Sequence, residues 1–204
     1  PRKKNAWARL VRAKIEGQAS VLENLKIRGS GELLALADQG RSGDPGNVEA
    51  QAARLYWSRT LGRGVGRQPA AGQLIGANAC LDYGYAVLRG HLMRAVLAAG
   101  LAPALGVFHR GRGNAFALAD DLIEPFRPAI DEVALPLPAT ASPSDREVKQ
   151  LLVAAASQRF DADGHGIPAV AEALAQSFGR YIEGDIDRLQ VASWQGPSRV
   201  GVGD

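Results

Sequence analysis

The chain has 204 residues, of which 46% are hydrophobic, 22% charged and 6% aromatic, the length and mixture of one well-buried globular domain, or of one domain with an appended lobe. Its formal charge of +3 excludes a strongly polyelectrolyte character, and its single cysteine, Cys80, excludes an intramolecular disulfide and fits a buried thiol in a reducing compartment such as the cytoplasm. The longest apolar stretch, 72–100, is interrupted by Asn78, Asp82, Arg89, His91 and Arg94, too many polar groups for a lipid-spanning helix.

No signal peptide opens the chain, and Pro1 followed by a basic run, with no initiator methionine, is what a piece of a longer protein would show. The basic residues are unevenly placed: Arg2, Lys3, Lys4, Arg9, Arg12, Lys14, Lys26 and Arg28 face only Glu16 and Glu23. Arg54, Arg59, Arg63, Arg67, Arg89 and Arg94 face only Asp82. Patches of this kind point to partners that carry phosphate.

In chain order, Trp7, Leu10, Val11, Ile15, Leu22 and Leu25 recur at helical spacing over 5–25, opposite Arg9, Arg12, Glu16 and Glu23, and predict an amphipathic surface helix. Gly29, Ser30 and Gly31 break it before a shorter apolar segment over 32–37. Asp44 as N-cap and Pro45 at the first helical position predict a third helix running to about residue 61. The stretch 62–69 is a glycine-rich basic loop; with no strand before it, a dinucleotide fingerprint is the poorer reading.

The alanine- and leucine-rich composition favours an all-α fold. Segment 72–100, apolar around nearly its whole circumference, predicts a buried central helix around which the others wrap. After Pro103 the chain reaches His109, turns through 110–114 and restarts as an acidic helix over 116–124, with a kink or restart at Pro125. Residues 1–135 form the helical core, 136–143 a proline-rich connector, and 144–204 further helices of the same domain plus a tail. Within the last part, Ser144 and Glu147 predict a capping box for a helix to about residue 159, a final helix spans 168–182, and 195–204 has no pattern.

Four residues carry the chemistry. Glu49 has Ala52, Ala53 and Tyr56 at i+3, i+4 and i+7, so the helix aims a carboxylate along an apolar stripe, a costly placement that a metal or a close cation would resolve. An ordinary first-turn acid favoured by the helix dipole is the alternative. His109 ends an apolar run, as a ligand, an acid/base group or a hydrogen-bonded core histidine, and Asp121 and Glu124 project from one side of the acidic helix. Asp120, Asp121 and Glu124 could equally be a solvated helix start. An imidazole with carboxylates is a hard donor set matching magnesium or manganese, and arginines around it suit a phosphate backbone. A second pattern, Asp161, Asp163, Gly166 and Glu172, has calcium-loop spacing at positions one, three, six and twelve. However, His165 at position five and Pro168 within the loop favour a polar turn feeding the last helix. His91, on the central helix, reads as structural.

Four ordered motifs, S-G-D-P-G-N-V-E-A, N-A-C-L-D-Y-G-Y-A-V-L-R, A-L-G-V-F-H and A-D-D-L-I-E-P-F-R-P, closely resemble the helical catalytic half of the CRISPR-associated endonuclease one family, integrases that insert spacers into CRISPR arrays, in wording nearest the forms accompanying type II systems. The resemblance implies a Mg2+ or Mn2+ site formed by Glu49, His109 and Glu124, with Asp121 as a supporting acid. It also implies transesterification of 3′-hydroxyl DNA ends into a repeat, and assembly as homodimers bridged by the small CRISPR-associated endonuclease two, without a membrane. Arg59, Arg63, Arg110, Arg112 and Arg127 are the candidate DNA-phosphate contacts. The family's N-terminal β-rich domain is not among these residues, and Asp82 stands where an asparagine is expected. A transposon-borne integrase of the same fold, or a non-catalytic helical DNA-binding or assembly module, would share much of this pattern.

Overall fold

The computed structural model describes residues 1–43, 46–62, 66–69, 72–109, 111 and 113–197. The first apolar periodicity is realised as α1 (Arg2–Asn24), whose Trp7, Leu10, Val11, Ile15 and Leu22 are all buried. Lys26 (φ 57°) and Gly29 (φ 125°) then reverse the chain, so that α2 (Ser30–Gln39) packs back on α1 through Leu33 and Ala37. The third helix, α3 (Val48–Thr60), follows Asn47, whose φ of 51° places it in the left-handed region that asparagine tolerates better than most residues. The expected start at Asp44 and Pro45 lies outside the described residues.

The central helix is α4 (Gly76–Ala98), shorter than the apolar stretch that predicted it. It contacts α5 (Ala117–Leu122), α6 (Arg127–Ala134), α7 (Arg146–Ala155) and α8 (Ile167–Glu183), burying Cys80, Leu81, Leu88, Leu92 and Val96. One stripe, Ala86, Gly90, Arg94 and Leu97, stays exposed, a departure from packing on every side. Alanine and glycine count as apolar in a sequence but lose little by facing water.

Pro125 divides the acidic segment as expected. The helix stops at Leu122, a 3-10 turn covers Glu124–Phe126, and α6 restarts at Arg127, because proline lacks the N–H and its ring crowds the carbonyl four residues back. The start of α7 differs from the sequence expectation. Asp145 precedes the first helical residue, its side chain makes no capping bond, and Ser144 donates its N–H to Ser142 Oγ at 3.2 Å, so the Ser144–Glu147 box does not form. Pro168 sits in the first turn of α8, and Gly184 (φ 100°) closes that helix.

Beyond α8 the chain runs without helix but not without contacts: Leu189 and Trp194 are buried, and Trp194 lies 5.7 Å from Phe160, ring to ring, while donating Nε1–H to Glu132 Oε2 at 2.6 Å. Of the patternless tail, 198–204 lies outside the described residues. Among the described residues there is no strand, only an isolated bridge between Arg159 and Gly166, and no helix is long and apolar enough to cross a membrane.

Candidate metal and nucleic-acid site

The site gathers where the start of α3, the middle of α1 and the α5 to α6 junction meet. Glu49, in the first turn of α3, and Glu124, opening the 3-10 turn, reach the same cation. The Lys14 ammonium lies 2.9 Å from Glu49 Oε1 and 2.6 Å from Glu124 Oε2. Arg127 Nε donates to the other oxygen, Glu124 Oε1, at 2.8 Å, and its guanidinium lies 4.5 Å from the centre of the Tyr85 ring. Burial pushes the Glu124 carboxyl up, but Arg127 and Lys14 outweigh it and hold the group at about 2. Burial likewise works against the charged Lys14, and Glu124 with Glu49 reverses the balance and raises it. Glu124 and Lys14 are therefore both charged at neutral pH.

His109 is organised separately, around Asp121. Its Nδ1 lies 2.7 Å from Asp121 Oδ1, and Asp121, fully buried, also accepts the backbone N–H groups of Val107, Phe108 (3.0 Å) and His109 (3.2 Å). The 106–109 loop thus wraps one carboxylate. Gly106 permits the wrap: a Cβ there would stand 2.2 Å from the His109 carbonyl and 2.9 Å from Asp121 Oδ2. The imidazole is exposed and edges against Trp7 of α1, centroids 6.2 Å apart, while Phe108 stacks on Trp7 at 4.5 Å.

The three residues expected to share a metal are thus placed as two units, Glu49 with Glu124 across Lys14, and His109 with Asp121. Asp121 and Glu124 fall three residues apart and join them. Among the described residues, the group whose ligand atoms all lie within 4.8 Å of one another is instead Asp161, Asp163 and His165. In that turn Asp161 accepts both the backbone N–H and the Nδ1 contact of His165 at 2.8 Å, and Glu172, the twelfth position of the calcium spacing, is not part of the group.

A cavity of about 490 Å3 opens beside Glu124, lined by Lys14, Gln18, Trp57, Arg67, Tyr85, Arg89, Asp120 and Arg127 among others. Its arginines are paired: Arg67 with Asp82 and with Asn78 Oδ1 (2.9 Å), Arg89 with Asp120 (Nη2 to Oδ2, 3.1 Å). The acidic helix start is therefore not solvated, because each of its three carboxylates has a partner. The basic cluster read from the sequence is also less free than its count: Arg59 meets Glu32 at 3.3 Å and Arg127 is committed to Glu124. Arg63, Arg110 and Arg112 lie outside the described residues.

Beneath the cavity a carboxylate that the sequence reading passed over, Asp131, is 1% exposed and receives the hydroxyls of Tyr56 (2.9 Å) and Tyr85. Burial raises it to about 6, with both tyrosine hydrogen bonds and the charges of Arg127 and Arg67 opposing the rise. Lys14 and Gln18 were also missed. The available signal was their spacing: Lys14 stands at i+4 and i+3 from Leu10 and Val11, and Gln18 four residues later, so both polar residues fall on the apolar stripe of α1. His91 has its Nε2 3.3 Å from Ser157 Oγ, while its buried Nδ1 has no hydrogen-bond partner.

With this geometry in view, residues 2–147 match the CRISPR associated protein Cas1 family. A CRISPR-associated endonuclease Cas1 from Neisseria meningitidis serogroup C (strain 8013) is 45% identical over 132 residues, which make up 64% of this chain and 42% of that protein, so the match spans less than half of that relative's length. Among solved structures, a casposase bound to integration product superposes with a TM-score of 0.75 at 18% identity, covering 92% of this chain and 63% of that one. A chain of a partial Cas6-RT-Cas1–Cas2 complex gives a TM-score of 0.74 at 17% identity, covering 96% and 69%; both likenesses establish the fold. The ordered motifs, the helical architecture and the family match over most of the sequence agree, and the chain belongs to the Cas1 family.

Proposed function

We propose that this chain is the catalytic helical half of a divalent-metal-dependent integrase, one that joins the 3′-hydroxyl ends of a short DNA duplex to a CRISPR repeat by transesterification. The observation that carries the reading is the convergence of Glu49 and Glu124 on one cation, with His109 held by the buried Asp121 three residues before Glu124. The Lys14 ammonium shows that this carboxylate pair accommodates a cation, and with an imidazole the donors suit magnesium or manganese in preference to a thiolate-seeking metal. Glu49, Glu124 and His109 are the residues that would hold such an ion, which would supply charge stabilisation at the phosphodiester and acidify an attacking hydroxyl.

The chain's own groups do the rest. Asp121, already accepting three backbone N–H groups, takes the Nδ1 side of His109, which fixes the tautomer and leaves Nε2 for ligation or proton transfer. Arg127 orients Glu124 from the side away from Lys14. Arg59, Arg67 and Arg89, with Arg63, Arg110 and Arg112, are the phosphate-binding candidates, contributing salt-dependent affinity and not base readout. Family membership and the fold shared with a chain of a partial Cas6-RT-Cas1–Cas2 complex support a Cas2-type partner, and homodimers are what the family resemblance implies.

The test is strand transfer into a supercoiled plasmid carrying a CRISPR repeat, run with Mg2+, Mn2+ or chelator, with and without the small partner subunit. His109→Ala and Glu124→Ala should abolish metal-dependent transfer while circular dichroism shows the helices intact; activity surviving either change rejects the assignment. The shared casposase fold favours a second reading, a transposon-borne integrase, which would use its own terminal repeats in place of the CRISPR repeat. DNA binding without turnover in any metal would favour a non-catalytic module.

A further inference from the structure

Lys14 belongs to α1, a helix that contributes no residue to the proposed ligand set, yet it is the group on which that set is built. Its side chain is 14% exposed and its ammonium bridges Glu49 and Glu124 at 2.9 and 2.6 Å. Without it, Glu124, 6% exposed, would share a buried site with a second carboxylate and lose one of its two cations, a costly arrangement. Arg127 keeps hold of the other Glu124 oxygen, so the glutamate stays oriented even if the lysine leaves.

Two features suit Lys14 to leaving. A lysine is a point charge on a flexible four-carbon stem, unlike the planar, stacked Arg127. The cavity that Lys14 lines also holds Gln18, one helical turn along the same face, 2% exposed, with an Oε1 that accepts no hydrogen bond. Unsatisfied buried acceptors are uncommon, and this one is placed to receive a displaced ammonium.

Building on the metal reading above, we propose that Lys14 is a built-in counter-ion: it holds Glu49 and Glu124 together in the metal-free protein and withdraws toward Gln18 Oε1 when a divalent cation enters. Lys14 is then a positioning residue, and the metal-free and metal-bound states differ in where one ammonium sits.

Two measurements on the whole chain test this. Calorimetric titration with Mn2+ should give Lys14→Met a dissociation constant at least about tenfold below wild type, since the ammonium between the two carboxylates no longer competes with the ion. Its melting temperature should be lower than wild type in chelator and recover with Mn2+. In wild type, reductive methylation of Lys14, followed by mass spectrometry with exposed Lys3 and Lys26 as internal references, should be slow in chelator and accelerate with Mn2+. The methylation test stands even if Lys14→Met fails to fold. Equal or weaker Mn2+ binding by the variant, or Lys14 labelling indifferent to Mn2+, overturns the proposal while leaving the metal site intact so long as wild type binds the ion. If neither protein binds Mn2+, the metal reading fails and takes this one with it.

Discussion

Glu124 and Asp131 are both buried, seven residues apart, yet their surroundings drive them in opposite directions. Two cations in contact hold Glu124 at about 2 against an ordinary 4.5. Asp131, facing tyrosine hydroxyls with its arginines farther off, rises from 3.8 to about 6. For Glu124 the depressed value means that its stabilisation is present above pH 4.5 and is lost as pH falls toward 2, a contribution of about 3 kcal/mol. Glu124→Gln should therefore destabilise the chain by roughly that amount at pH 7 and flatten the acid limb of urea unfolding below pH 4.5. For Asp131 the sign reverses. Its contribution is full below pH 3.8 and is lost as pH rises through about 6, so Asp131→Asn should remove a fall in stability between pH 4 and 6; an unchanged slope in that window would contradict the assignment. Glu49, His109, Asp121 and Glu124 were legible from spacing and from motif resemblance. Lys14, Gln18 and Asp131 were not singled out, because a lone polar residue on an apolar stripe acquires meaning only from the partner that tertiary packing supplies.

At the scale of elements, the α5 to α6 junction was readable in advance, since Pro125 admits few outcomes, and breaking the helix there lets Asp121 serve the His109 loop while Glu124 turns toward Lys14. The central helix was over-read. Its two interior glycines show why: a Cβ on Gly84 would meet Ile130 Cγ2 of α6 at 2.4 Å, while one on Gly90 meets nothing within 4 Å. Gly84→Ala should cost about 1–3 kcal/mol through overpacking, whereas Gly90→Ala, on the exposed stripe, should stabilise by up to about 1 kcal/mol from helix propensity. Thermal or urea melts of the two variants check both. Similar penalties at the two positions would mean that the stripe is covered. The capping signals fared worse: Ser144 lost its place to Asp145, and no side-chain cap forms there, because backbone direction at a helix start answers to neighbouring packing as well as to local preference.

For the whole molecule, the local excess of basic residues is a weaker guide to DNA contact than it looks in the sequence, since ion pairs tie Arg12 to Glu16 within α1 and, between segments, Arg12 to Asp38, Arg59 to Glu32, Arg67 to Asp82 and Arg89 to Asp120. The pairs between segments join residues distant in sequence, which is why charge counting along the chain could not find them. DNA would have to compete with these carboxylates for the arginines, and binding should weaken steeply with salt. What unites the molecule is the placement of α1, α3 and the α5 to α6 junction around one charged centre. The most direct test of that centre is a crystal grown with Mn2+ and examined for anomalous scattering. The expected result is a peak within ligand distance of Glu49, His109 and Glu124, with the Lys14 ammonium moved away. Manganese found only at Asp161, Asp163 and His165, or no peak with Lys14 still between the two glutamates, would contradict it.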